Sequence, residues 1–400
     1  MIIDTLAARL RYGPWLALLC LTALGGCTQA PRGVAESSPA RVPDGVPHSR
    51  EADDAARFLA GMPGTTGSPY ATLETTEAWQ EHRRLLDSAW RKADAGFVRG
   101  LRKFQNAELN AGPMRTAVVF YPFSGPDSLT ACLSFPDSPR YVLVGLEPAG
   151  TLPSVKQLSG KDLTQYLAGT RDTVASVLGR SFFITRQMDS QFRGQVTDGL
   201  LLPILELLVR MDYSILGYRY VRLNDRGQVV DRETNYNPEG RPANRGVDIE
   251  FRSNADRSLH RMLYFSVNLS DERVRTNKPF LEFAATLKGA TSLLKATSYM
   301  THNDDFSAIR DLVLTNSGAV LQDDSGIPYK YFQPDQWNLQ LFGDYERPYG
   351  SFRWREQPDL RQAFHSPGTK PLGFKIGYGY ARIPSNLLLA KRTPHVAQAR

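Results

Sequence analysis

Short, unbroken β-prone runs alternate with stretches of helical period through the middle of this chain, and this alternation constrains its fold more than any other feature. Residues 116–121 (TAVVFY) are β-prone without interruption, as in strands buried on both faces of a parallel sheet. A loop, PFSGPD over 122–127, leads into a helical stretch at 128–134, and residues 140–144 form a second strand that ends in GLEP. Helical patterns at 161–178 and 199–211 precede a strand at 214–223. From 216 to 269 the pattern turns antiparallel, with the hairpin turn NDRG at 224–227 and a further strand pair at 247–252 and 261–269. Helical segments at 279–287, 291–300 and 305–314 then lead to a strand near 319–321. The expected class is α/β: a mixed sheet with some parallel strands plus an antiparallel section, flanked by helices. Residues 70–390 read as one mixed α/β domain, followed by a frayed terminus at 391–400.

Ahead of the strands, residues 76–110 carry one long helical period. Trp79, Leu86, Trp90, Ala93, Phe97, Leu101 and Phe104 share a face, with Thr76 placed to cap the start. The other face is basic: Arg83, Arg84, Arg91, Lys92, Arg99, Arg102 and Lys103. A docked helix with solvated charges is the preferred reading, and a helix lying on a membrane surface is the alternative.

The N-terminus has the three parts of an export signal: positive charge at Arg9 and Arg11, an apolar run over 15–24, then Gly25 and Gly26 before Cys27. The run is too short to span a bilayer. Leu24-Gly25-Gly26-Cys27 resembles the lipobox of bacterial lipoproteins. The resemblance implies cleavage after residue 26 and lipid on Cys27. With Thr28 after the cysteine, it also implies the outer membrane. The membrane, through that lipid, is then the first partner. Residues 27–69, with Pro31, Pro39, Pro43 and Pro47 among small and charged residues, read as a disordered tether to the domain.

Composition excludes other classes. With 42% hydrophobic residues, 19 Phe and 17 Tyr, the chain can bury a large core and is not disordered throughout. A net charge of +7 is modest for 400 residues, and no stretch has the cation density of a nucleic-acid stripe, so nucleic acid is not an expected partner. Of three cysteines, only Cys132 falls in the domain, among apolar residues, and it reads as an inert buried thiol. The glycine fingerprint, P-loop, G-x-S-x-G and H-E-x-x-H patterns are absent, and the six His have no metal-ligand spacing, so no cofactor or metal is expected.

Candidate site residues are therefore few. Ser124 and Asp127 lie in the loop after the first strand, where open α/β sheets bind ligands, although a tight turn with Asp127 as helix cap serves equally. Glu147 ends the second strand, where doubly wound folds place a carboxylate on a ribose. Asp323 and Asp324 follow the last predicted strand. If extended, their side chains point to opposite faces, and an Asp-rich turn is the plainer explanation. His302, beside Asp304 and Asp305, is the one histidine singled out. Ser292-Leu293-Leu294-Lys295 fits S-x-x-K, but the companion K-T-G is missing.

The blocks YPFSGPD (121–127), GLEP (145–148), QDDSGIPY (322–329) and SNLLLA (385–390) resemble a family of bacterial proteins with no known activity. The resemblance covers roughly residues 110–390 and implies no site residues. The expected function is a membrane-anchored envelope lipoprotein that binds a small ligand or an envelope protein. The alternative is an envelope hydrolase or transferase with a cleft at Ser124–Asp127.

Overall fold

The structure, a computed structural model, describes residues 45–110, 117–152, 154–180, 198–232, 244–348, 350–380 and 384–393. The chain divides into a unit of residues 1–38, which lies outside the described residues, and a unit of residues 39–400, which contains everything below. The proposed signal segment 1–26 and Cys27 therefore also lie outside them.

The frame is one ten-stranded mixed sheet. In chain order its strands are β1 (Val119–Pro122), β2 (Arg140–Gly145), β3 (Tyr213–Leu223), β4 (Val229–Asp231), β5 (Arg245–Ser253), β6 (Leu259–Ser266), β7 (Ala290–Leu294), β8 (Ser317–Gln322), β9 (Trp337–Gly343) and β10 (Asn386–Arg392). Across the sheet they run β4-β3-β5-β6-β2-β1-β7-β8-β10-β9. The middle five, β6-β2-β1-β7-β8, are parallel. The antiparallel strands flank this block on both sides.

The helices are α1 (Arg50–Leu59), α2 (Ala71–Glu74), α3 (Glu77–Ala93), α4 (Arg99–Phe104), α5 (Ser128–Ser134), α6 (Gly160–Arg180), α7 (Leu201–Arg210), α8 (Asp271–Val274), α9 (Lys278–Ala285), α10 (Ser307–Asn316) and α11 (Pro358–Phe364). Alternate strand residues feed two cores. Tyr121, Leu143, Ile249 and Leu321 pack with α1 and α3–α7. Phe120, Val142, Leu263 and Val320 pack with α8–α11. Helices of the first half thus cover one face and those of the second half the other, with the strands buried between. The hairpin at 224–227 forms as its sequence predicts, joining β3 to β4.

Four expectations need correction. Residues 50–69 are not tether: α1 buries Ala52, Ala55, Ala56, Phe58 and Leu59, and Trp79 Nε1 donates to the Phe58 carbonyl at 2.9 Å. A one-sided apolar period was present there, hidden by the Pro- and Ser-rich sequence before it. The strand β10 runs to Arg392, so fraying does not begin at 391. The long helix is docked by its apolar face, as preferred, but π turns at Asp94–Val98 and Gln105–Leu109 interrupt it and keep Phe97, Val98, Leu101 and Leu109 on the buried side. Finally, residues 290–294 are strand β7, not the start of a helix at 291–300.

Candidate functional site

The parallel block has a switch point of the kind at which doubly wound sheets bind ligands. From β1 the chain goes to β2 on one side, and later elements place β7 on the other, so the strand order reverses beside β1. At this switch point, beyond the carboxyl ends of β1 and β7, Asp127 and Lys295 meet at 2.6 Å. Both side chains are almost wholly buried. Lys295 Nζ also donates to Thr130 Oγ1 at 2.7 Å, and Tyr121 OH donates to Asp127 Oδ2 at 2.9 Å. Asp127 Oδ1 accepts from Thr130 N at 3.0 Å, so the expected helix cap is present. Burial, and then the Asp127 charge, pushes the Tyr121 phenol well above its ordinary range.

Next along the same edge, the loop after β7 is strained. Ala296, Ser298 and Tyr299 all have positive φ, at 52°, 55° and 55°. Left-handed backbone costs a non-glycine residue roughly 1–2 kcal/mol, so the surroundings must hold it. They do so through the loop after β8. Ala296 N donates to Asp323 Oδ2 at 2.9 Å and Thr297 N to Ser325 Oγ at 2.9 Å. Tyr378 OH donates to the Ala296 carbonyl at 2.9 Å.

Asp323 and Asp324 lie just beyond β8, Asp324 in a turn, and their carboxylates take different partners. Asp323 Oδ1 accepts from Ser325 N at 3.0 Å, whereas Asp324 Oδ1 accepts from Asn386 Nδ2 at 3.0 Å and Asp324 Oδ2 accepts from the Tyr299 hydroxyl. Burial raises both carboxyls above the ordinary range, and for Asp323 the Asp324 charge adds to it. His302 lies against this loop with its ring 5.1 Å from that of Tyr299, edge to face. Burial, followed by the Arg355 charge, lowers its pKa to about 4, and its Nε2 has no hydrogen-bond partner.

Ser124 faces inward. Its hydroxyl is within hydrogen-bond distance of the Val144 carbonyl at 3.2 Å and the Gly125 carbonyl at 3.0 Å. Gly125 beside it has φ +52° and opens onto free space. At the end of β2, Gly145 is required: a Cβ there would stand 2.7 Å from the Tyr264 hydroxyl. That hydroxyl donates to the Glu147 carbonyl at 2.6 Å and fixes the loop. Glu147 itself is half-buried, and its Oε1 is shielded from solvent without any hydrogen-bond partner.

All six sequence candidates therefore gather at the loops on one edge of the sheet. Ser124, Asp127, Asp323 and Asp324 are sealed into polar contacts, and Glu147 carries a buried oxygen left unmatched. Lys295, Tyr121 and Tyr299 were missed as site residues. The signal for Lys295 was its place in S-x-x-K, the motif set aside above. Among the described residues, no group of His, Cys, Asp and Glu is arranged to hold a metal. An open groove of about 630 Å³ lies elsewhere, along β9, lined in part by Tyr329, Lys330, Trp337, Asn338 and Asp359. Compared with protein families, curated proteins and solved structures, the chain matches none.

Proposed function

We propose that this chain is an envelope lipoprotein whose α/β body binds a ligand with vicinal hydroxyls at Glu147. One observation carries the binding reading: a carboxylate oxygen without a partner, held at the end of β2 beside the switch point. In doubly wound folds a carboxylate at this position accepts hydrogen bonds from a ribose, and any sugar diol offers the same pair of donors. A buried acceptor without a donor costs about 1–3 kcal/mol, which a diol would recover by drawing the half-buried side chain outward.

The neighbouring helix start argues against a phosphate. Dinucleotide folds place a pyrophosphate at the first helix after β1. Here Asp127 fills that place with its own carboxylate. The favoured ligand is thus a sugar or a nucleoside without phosphate at that end.

Calorimetry on the chain from Thr28 onward tests this with adenosine, 2′-deoxyadenosine, AMP, S-adenosylmethionine and N-acetylglucosamine. Adenosine or the amino sugar should bind, the deoxy compound more weakly, and Glu147→Ala should abolish binding. Equal affinity of Glu147→Ala for any binder removes the reading. The lipoprotein part rests on the order of charge, apolar run, two glycines and Cys27. Palmitate labelling of the native chain, lost in Cys27→Ser, is its test; labelling retained in that variant refutes it.

A further inference from the structure

The end of α3, the π turn and most of α4, residues 91–103, form a concentrated basic face. From 91 to 103 there are five cations, Arg91, Lys92, Arg99, Arg102 and Lys103, and one acid, Asp94. Five minus one leaves +4, against +7 for all 400 residues. Arg99 is neutralised by Asp94 at 2.8 Å. The other four are exposed, and none makes an ion pair among the described residues.

The opposite side of the same segment is committed to the core through Ala93, Phe97, Val98, Leu101 and Phe104. Apart from the half-buried Trp90, which packs against the same core, the apolar side chains here are turned inward, so contact made by this face is mainly electrostatic. Nucleic acid fits poorly, because single strands need open aromatic platforms beside the cations, whereas Phe97 and Phe104 are buried and Trp90 is half-buried against the core.

We infer that this face rests on an anionic lipid surface while the lipid on Cys27 supplies the anchor. The inference uses the lipoprotein reading only to bring a membrane within reach, and it is independent of the Glu147 site. Reach is sufficient. The described chain begins beside β3, where Ser49 N donates to the Leu216 carbonyl at 2.7 Å. The far end of α4 packs on β9, with the Phe104 and Phe342 rings 4.8 Å apart. Eight strand spacings separate β3 from β9, roughly 40 Å. The 18 residues from Cys27 to Gly45 (45 minus 27) can extend to ~60 Å.

The test is co-sedimentation of the unlipidated chain from Thr28 onward with vesicles of phosphatidylcholine alone or enriched in phosphatidylglycerol. The expected result is binding to the anionic vesicles only, reversed by added salt. Replacing Arg91, Lys92, Arg102 and Lys103 by Gln should weaken it by about tenfold or more. Replacing Lys278 and Lys288, exposed in and just beyond α9 on the other face of the sheet, should change it little. Equal binding to both vesicle types overturns the inference. So does undiminished binding by the four-site variant, an equal loss in the Lys278 and Lys288 control, or tighter binding to an RNA oligomer than to the anionic vesicles. Because lipidation is read separately by palmitate labelling, a failure here leaves that result intact.

Discussion

Two buried polar regions of this protein differ in how fully their charges are matched. At the carboxyl edge of the parallel strands, the buried charges of Asp127, Lys295, Asp323 and Asp324 all meet partners. In the layer of α3, α6 and α7, His82 Nε2 meets the Leu59 carbonyl and Arg210 pairs with Asp87, but His82 Nδ1, Tyr166 OH, Glu206 Oε1 and Arg210 Nη2 are buried without a hydrogen bond. His82 and Glu206 are almost completely buried. A satisfied network fixes geometry, whereas an unsatisfied one leaves a standing cost that varies with pH. The edge should therefore be intolerant of losing one partner, and the helix layer should respond to acid and base.

The largest effect is expected at the edge. Lys295→Met leaves the Asp127 carboxylate buried against Tyr121 and Thr130 without its counter-charge, and should cost roughly 3–5 kcal/mol. Urea unfolding measures it. Adding Asp127→Asn to that variant should recover a large part, because the uncompensated charge is then gone. If the double variant is as unstable as the sum of both single variants, the two residues act independently and the pair is not the unit described here.

In the helix layer the next effect is the response to acid. Burial, with the charges of Arg171 and Arg210 behind it, lowers the His82 pKa from 6.5 to about 4. Below pH 6.5 the unfolded chain takes up a proton that the folded chain refuses until about pH 4. Stability is therefore lost across that window, by roughly 3 kcal/mol. His302 at the edge is lowered to about 4 as well, so each must be separated by difference. Unfolding of native and His82→Leu chains between pH 7 and pH 4 checks this: the variant should show the shallower slope, and parallel slopes would assign the acid response to His302.

The contrast between the two regions also shows what a sequence discloses. The strand β1 was legible because TAVVFY is long enough and β-prone enough to leave one assignment, and the GLEP turn placed Glu147 correctly at the end of β2. The strand β7 was not legible. ATSLL is five residues, buried throughout, with no alternation, and its Ala and Leu, with Lys295 and Ala296 beyond it, suit a helix equally well. Misreading it hid Lys295, and with it the partner that makes Asp127 more than a helix cap. The Tyr299–Asp324 and Asn386–Asp324 contacts join residues 25 and 62 positions apart, and periodicity carries no signal at that range. The alternation rule did not apply to Asp323 and Asp324, because Asp324 lies in a turn, and both carboxylates hold the loop after β7, through Ala296 N and the Tyr299 hydroxyl.

A smaller effect of opposite sign is expected at Glu206. It lies in an apolar helix, LLPILELLVR, and burial raises its pKa well above 4.5. The folded chain keeps the proton that the unfolded chain releases above pH 4.5, so this residue's contribution falls as pH rises from there. Glu206→Met preserves length and removes the unmatched oxygen, and should stabilise by about 1–2 kcal/mol at neutral pH. The gain should shrink toward pH 4. Thermal unfolding at several pH values reads both, and a destabilised variant would mean that the carboxyl has a partner that matters.

The smallest effect belongs to a third kind of polar group, the exposed cations of α3 and α4. Their solvent shell is complete, so replacing Arg91, Lys92, Arg102 and Lys103 by Gln removes no buried contact, and each should change stability by less than about 0.5 kcal/mol. Like charges one turn apart repel weakly, so the net change should be slightly favourable and should vanish in high salt. Thermal unfolding at low and high ionic strength measures it. A loss of several degrees would show that this face has an internal role, as the paired edge does, and would join it to the architecture of the body instead of its surroundings.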